Sequence, residues 1–95
     1  MGGILKDHGY IMTEKEKLMS RLLLKPKDFT WSELVTVLSH LGFEEMNAGK
    51  TSGSRVRFIH DGYPPIILHK PHPTLVLKRY QIDDVVSFLK EEKLL

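Results

Sequence analysis

Ninety-five residues, 41% hydrophobic and 27% charged, suffice for one core but not two, and exclude a disordered chain. The absence of cysteine excludes a disulfide framework and thiolate metal sites, and fits a reducing cytoplasm. The net charge of +2 conceals a segregation: residues 49–80 carry six Lys/Arg against Asp61 alone, while the segments on either side are each net acidic.

No apolar run approaches the roughly 20 residues needed to span a bilayer, so no membrane partner is expected. Met1 to Met12 lacks the basic-then-apolar layout of a secretory signal and contains Gly2, Gly3 and Gly9. Residues 1–12 are expected to be a flexible leader to a single domain over 13–95, with its core in 29–93.

Thr13-Glu14-Lys15-Glu16 has the form of a capping box, in which Thr13 and Glu16 satisfy N–H groups that a helix start leaves free. Leu18, Met19, Leu22 and Leu23 then fall on one helical face, and Pro26 stops the helix because it disfavours helical geometry in Lys25. Thr30-Trp31-Ser32-Glu33 repeats the box. Trp31, Leu34, Val35, Leu38 and Leu41 follow at amphipathic spacing, with Gly42 as a C-terminal cap. Trp31 belongs to the core, since base-stacking platforms stand exposed on strands or loops. His40 reads as a surface residue favoured by the helix dipole.

Phe43 to Asn47 alternates as a short strand and leads into a Gly/Ser turn at Gly49-Lys50-Thr51-Ser52-Gly53. From Ser54 to His60 a second strand puts Val56 and Phe58 on one face and Arg55 and Arg57 on the other. Asp61-Gly62 is a hairpin turn, to which His60 is assigned. Pro65 to Lys70 makes a third strand, ended by Pro71 and Pro73, with His72 held between the prolines. The last helix runs from about Arg79 to Lys93, striped by Ile82, Val85, Val86 and Leu89; Asp83 and Asp84 lie early and Lys90 and Lys93 late, as the helix dipole favours. A sheet of this kind needs cover on one face, and the two amphipathic helices can supply it.

From Phe29 to Leu89 the chain resembles the HicA (YcfA-like) family of bacterial toxins. The resemblance rests on Leu41-Gly42-Phe43 before a strand and a Gly/Ser turn, on Gly53-Ser54 followed by Arg55-Val56-Arg57-Phe58, and on His72-Pro73 before the final helix. It implies an α+β fold like the double-stranded-RNA-binding domain: a three-stranded antiparallel sheet with helices on one face. The α-β-β-β-α core would here carry an extra N-terminal helix. It also implies a metal-independent ribonuclease acting on mRNA without cofactors, and a HicB-like antitoxin that masks the active face. The family typically has histidine directly after Gly-Ser, implicated in catalysis; this sequence has Arg55 there.

Cleaving RNA through its own 2′-OH needs a base, an acid, and positive charge for the phosphorane. Arginine supplies only the last, because it stays protonated. The proton-transfer role must then pass elsewhere or be lost; His69 and His72 are the candidates, since histidine alone titrates near neutrality unaided. Arg55 and Arg57 clamp phosphate, Lys50 and Lys70 add charge, and Ser54 donates a hydrogen bond. Two other readings remain. One is a non-catalytic RNA-binding module, with Arg55 in place of the base. The other is a protein–protein adaptor with a solvated basic hairpin. Metal chemistry fits poorly, because no acid lies near His69 or His72 in sequence. Gly49-Lys50-Thr51 imitates a P-loop end, but Glu44 stands where the earlier glycine is required.

Overall fold

The computed structural model describes residues 13–47 and 54–95. The expected leader at 1–12 and the turn holding Lys50 lie outside the described residues. Three helices and one sheet follow in the order α1 (Glu14–Leu23), α2 (Trp31–His40), β1 (Glu44–Asn47), β2 (Arg55–His60), β3 (Tyr63–His69) and α3 (Arg79–Glu91). The strands form an antiparallel meander, β1-β2-β3. The expected α+β class is observed, including the additional first helix. No helix among the described residues is long and apolar enough to cross a membrane.

Both capping boxes form. Thr13 Oγ1 accepts from the Glu16 N–H at 3.2 Å while Glu16 accepts from the Thr13 N–H at 3.0 Å. The Thr30–Glu33 pair repeats this at 3.2 and 2.9 Å. Each box satisfies two N–H groups that the first helical turn cannot pair internally. The helices end close to where their sequences stop them: α1 before Leu24 and Lys25, and α2 before Leu41 and Gly42. The last helix ends two residues short of the expected Lys93, which itself takes a left-handed φ of 60°.

The core lies between the helices and one sheet face. Val56 and Phe58 from β2 meet Ile66 and Leu68 from β3, under Leu34, Val37 and Leu38 of α2 and Ile82, Val85, Val86 and Leu89 of α3. Trp31 is buried there, its ring 5.6 Å from that of Phe58, and its indole N–H reaches Glu45 at 3.4 Å. Leu22 is the buried anchor of α1, which packs on α2 and α3. A short antiparallel bridge, Thr30 to Val76, draws the segment before α3 against the start of α2. Trp31 N–H donates to Leu75 O and Leu77 N–H to Phe29 O, each at 2.8 Å.

The third strand begins at Tyr63, two residues before the expected Pro65. Two consecutive prolines inside a strand need a reason, and the register supplies it. His60 faces Tyr63 and Phe58 faces Ile66, so Ile59 alone opposes both Pro64 and Pro65. That is a β-bulge on an edge strand, where missing N–H groups are tolerated.

Arg21 fastens α1 to the start of α2. Its Nη1 lies 2.9 Å from both Glu33 oxygens, its Nη2 2.6 Å from Asp28, and its guanidinium 5.3 Å from the Phe29 ring centre. Burial alone would raise the Glu33 carboxyl. The hydrogen bonds from the Thr30 backbone and from Arg21 outweigh it and hold the group below the usual carboxylate range. A depressed folded-state pKa adds stability above the unfolded value of about 4.3, and that stability is lost as pH falls through the lower folded value. Glu33→Gln is therefore expected to cost about 1–2 kcal/mol at neutral pH, the scale of a half-exposed charged hydrogen bond. Urea midpoints of both proteins should converge once the pH is low enough for wild-type Glu33 itself to be protonated in the folded state. An unchanged gap at that pH would count against this role for the carboxylate.

Candidate functional site

The face of the sheet turned away from the helices carries the residues of interest. Arg55 and Arg57 occupy alternate, exposed positions of β2, and Val56 between them is buried. In β3 the same alternation exposes Ile67 and His69 and buries Ile66 and Leu68. The register sets His69 directly opposite Arg55, and sets Arg57 between Met46 of β1 and Ile67 of β3. Opposed residues of an antiparallel pair hold their Cβ atoms about 5 Å apart, so the Arg55 and His69 side chains leave the sheet as neighbours.

Ser54 lies just ahead of β2 at the mouth of this pair. Its carbonyl accepts from the Lys70 N–H at 2.8 Å, which closes the open end of the hairpin. Its hydroxyl sits 3.5 Å from His69 Nδ1, a long contact at the outer limit of a hydrogen bond. The structure thus gathers Arg55, His69 and Ser54, with Arg57 one row along. His72 is exposed on the bend beyond β3, after the buried Pro71 and before a cis bond to Pro73. Among the described residues it has no hydrogen-bond, ion-pair or ring partner. Lys70 joins the group through its backbone, and Lys50 lies outside the described residues. His60 stands at the opposite end of β2, about 17 Å away along the strand. There its Nδ1 accepts from the Gly62 N–H at 2.9 Å, and its ring packs 5.0 Å from Phe43 and 4.7 Å from Tyr63. Its place is the hairpin turn, as its sequence context predicts.

Residues 31–91 match the family model described as HicA toxin of bacterial toxin-antitoxin. That span covers well over half of the chain. The chain belongs to the HicA toxin family. HicA toxins pair with HicB antitoxins and act on RNA. No curated protein and no solved structure matches this chain significantly. The HicA match opens at Trp31, so α1 and its Arg21 clamp lie ahead of it.

Sequence reasoning missed three residues on or behind this sheet face. Gln81 is the one buried polar residue among the described residues. Its side-chain amide donates to the His69 carbonyl at 2.7 Å, and its oxygen accepts from the Lys78 N–H at 3.0 Å. One side chain thereby caps α3 and holds the end of β3 where His69 sits. The signal was available, because glutamine three residues after a helix start is half of a capping box. Met46 and Ile67, half-exposed beside Arg57, make the open face partly apolar. Alternation alone assigns Met46 outward. The unbroken Ile66-Ile67-Leu68 run hides the direction of Ile67.

Proposed function

We propose that this protein is an mRNA endoribonuclease that cleaves through the substrate's own 2′-OH, without a metal. It is restrained by a HicB-like antitoxin laid over the open sheet face. The observation that carries the reading is the Arg55–His69–Ser54 group on an uncovered, basic sheet face of a HicA-family chain. In this mechanism an imidazole, His69 or His72, takes the 2′-OH proton as that oxygen attacks phosphorus. The P–O5′ bond breaks, leaving a 2′,3′-cyclic phosphate and a 5′-hydroxyl protonated by the second acid. Arg55 and Arg57 neutralise the charge that builds on the phosphorane oxygens. Ser54 steadies His69, Lys50 and Lys70 attract the strand, and the partly apolar strip of Met46 and Ile67 suits the antitoxin. Such an enzyme works in the cytoplasm, where mRNA is translated.

Purified protein incubated with mRNA in excess EDTA is expected to cleave it. Arg55→Ala should lower the rate by about 10²–10³-fold, the scale of losing one preorganised donor to a developing oxyanion. Intact mRNA with both proteins would remove the nuclease claim. Arg55 itself favours a second reading, an RNA-binding module without catalysis, because this side chain cannot serve as a base. Retained salt-dependent RNA binding with no cleavage would establish that reading instead. Neither binding nor cleavage would point to a protein–protein adaptor.

A further inference from the structure

The Thr30–Val76 bridge has an effect beyond the core it closes. Because the bridge is antiparallel, the residues before Thr30 run beside those after Val76. The α1–α2 connection is thereby brought against the start of α3. Lys25, Pro26, Lys27, Leu77 and Arg79 line a cavity of about 160 Å³ there. Three of these five side chains are cationic. Lys25 holds a left-handed backbone, φ 52°, and its N–H donates to Leu22 O at 2.9 Å. Its Nζ lies 2.8 Å from Asp83 Oδ1, and Arg79 Nε approaches the same oxygen at 3.5 Å. One carboxylate thus fixes two cations, while the exposed Lys27 has no ionic partner among the described residues. The lining keeps an excess of positive charge that a purely structural ion-pair cluster would not need.

This cavity is not remote from the sheet site. Gln81 ties the Lys78 backbone to the His69 carbonyl, and Arg79 is the next residue. Lys70 and Lys78 stand at the two ends of that tie. Basic residues therefore adjoin both groups that Gln81 joins: Lys70 follows His69 of the sheet site, and Lys78 precedes Arg79 of the cavity.

We propose that the Lys25–Lys27–Arg79 cavity is a subsite for a backbone phosphate of the RNA, away from the bond that is cleaved. This rests on the RNA-cleaving reading above and extends the substrate's path around the start of α3. Held at both places, a strand is positioned as well as attracted, since phosphate contacts set register without reading sequence. The subsite accordingly adds affinity for RNA of any sequence.

The test is fluorescence anisotropy of a labelled single-stranded RNA across a salt series. Wild type is compared with Lys27→Ala/Arg79→Gln and with Lys17→Ala/Lys90→Ala, which removes the same charge elsewhere. Each lost phosphate contact lowers the slope of log K against log salt by about 0.7 on single strands. The first double variant is expected to lose about 0.7 units, one phosphate's worth, and the second to keep the wild-type slope. Circular dichroism melts verify that both variants are folded. Wild-type RNA binding with an unchanged slope in Lys27→Ala/Arg79→Gln would overturn the subsite and leave the RNA reading standing. Equal losses in both variants would also overturn it, by showing a response to total charge. A wild-type protein without affinity for RNA would overturn the subsite and the RNA reading together.

Discussion

Gly42→Ala is expected to lower the stability of this protein by about 2–5 kcal/mol, from two separable causes. Gly42 has φ 96°, a backbone conformation that costs an L-residue roughly 1–2 kcal/mol. A Cβ built there would also lie 2.8 Å from His60 Nε2 and 2.9 Å from its Cδ2. A long flexible side chain could move aside. The His60 ring is instead held by the Gly62 N–H and by the rings of Phe43 and Tyr63, so relieving the overlap means disturbing the hairpin. Overpacking of that kind costs about 1–3 kcal/mol. A 95-residue domain has only some 5–14 kcal/mol in all, so the variant should lose a large fraction of its stability. Urea unfolding gives the number, and a cycle with His60→Ala divides it. The double variant should recover the overlap cost and keep the backbone cost. A Gly42→Ala midpoint equal to that of wild type would contradict this placement of His60. The cycle also explains Leu41-Gly42-Phe43 physically: the glycine turns the chain out of α2, and Phe43 packs on the ring the glycine makes room for.

The second large effect is expected at His69. If its imidazole transfers the proton, His69→Ala should reduce RNA cleavage by about 10²–10⁴-fold, the usual contribution of a general acid or base. RNA binding should remain close to wild type, because in the proposed reading the charge that attracts the strand lies on the lysines and arginines and not on His69. His72→Ala made alongside assigns the roles. A bell-shaped pH–rate profile that loses one limb in His69→Ala and the other in His72→Ala would make them the acid–base pair. Full cleavage by His69→Ala would remove that residue from the chemistry and leave His72 as the candidate. Loss of binding together with cleavage would mean that the substitution damaged the sheet face, and not the proton transfer.

Much of this arrangement was legible in the residues themselves. Thr-x-x-Glu at 13 and 30 announces two helix starts because the chemistry is local: one hydroxyl, one carboxylate and the N–H groups within reach. The alternation in Arg55–Phe58 is equally local, and it assigns the arginines to one face before any partner strand is known. What local pattern could not show depends on distant pairing. Pro64 and Pro65 argue against a strand until a bulge opposite Ile59 accommodates them. The basic cavity exists only because Thr30 meets Val76, a contact between residues far apart in sequence that no periodicity encodes. His69 and His72 look alike on the page, three residues apart and both beside prolines or lysine. The fold puts the first against Arg55 and leaves the second on a bend. The identity of the residue after Gly53-Ser54 is equally plain in the sequence: Arg55 stays protonated, which suits contact with an anion and not the acceptance of a proton.

The surplus residue in β3 works as a phase shifter for the hairpin. Counting outward from His60 and Tyr63 in an unbroken ladder, Arg55 would meet Leu68 and Val56 would meet Ile67. Ile66 and Leu68 would then point to water, with Ile67 and the imidazole of His69 turned to the core side. Inserting one residue opposite Ile59 advances everything beyond it by half a pleat repeat. The greasy pair swings inward and the histidine swings out beside the guanidinium. A detail of the hairpin's closed end, lying next to the turn, thus decides which side chains the other end displays.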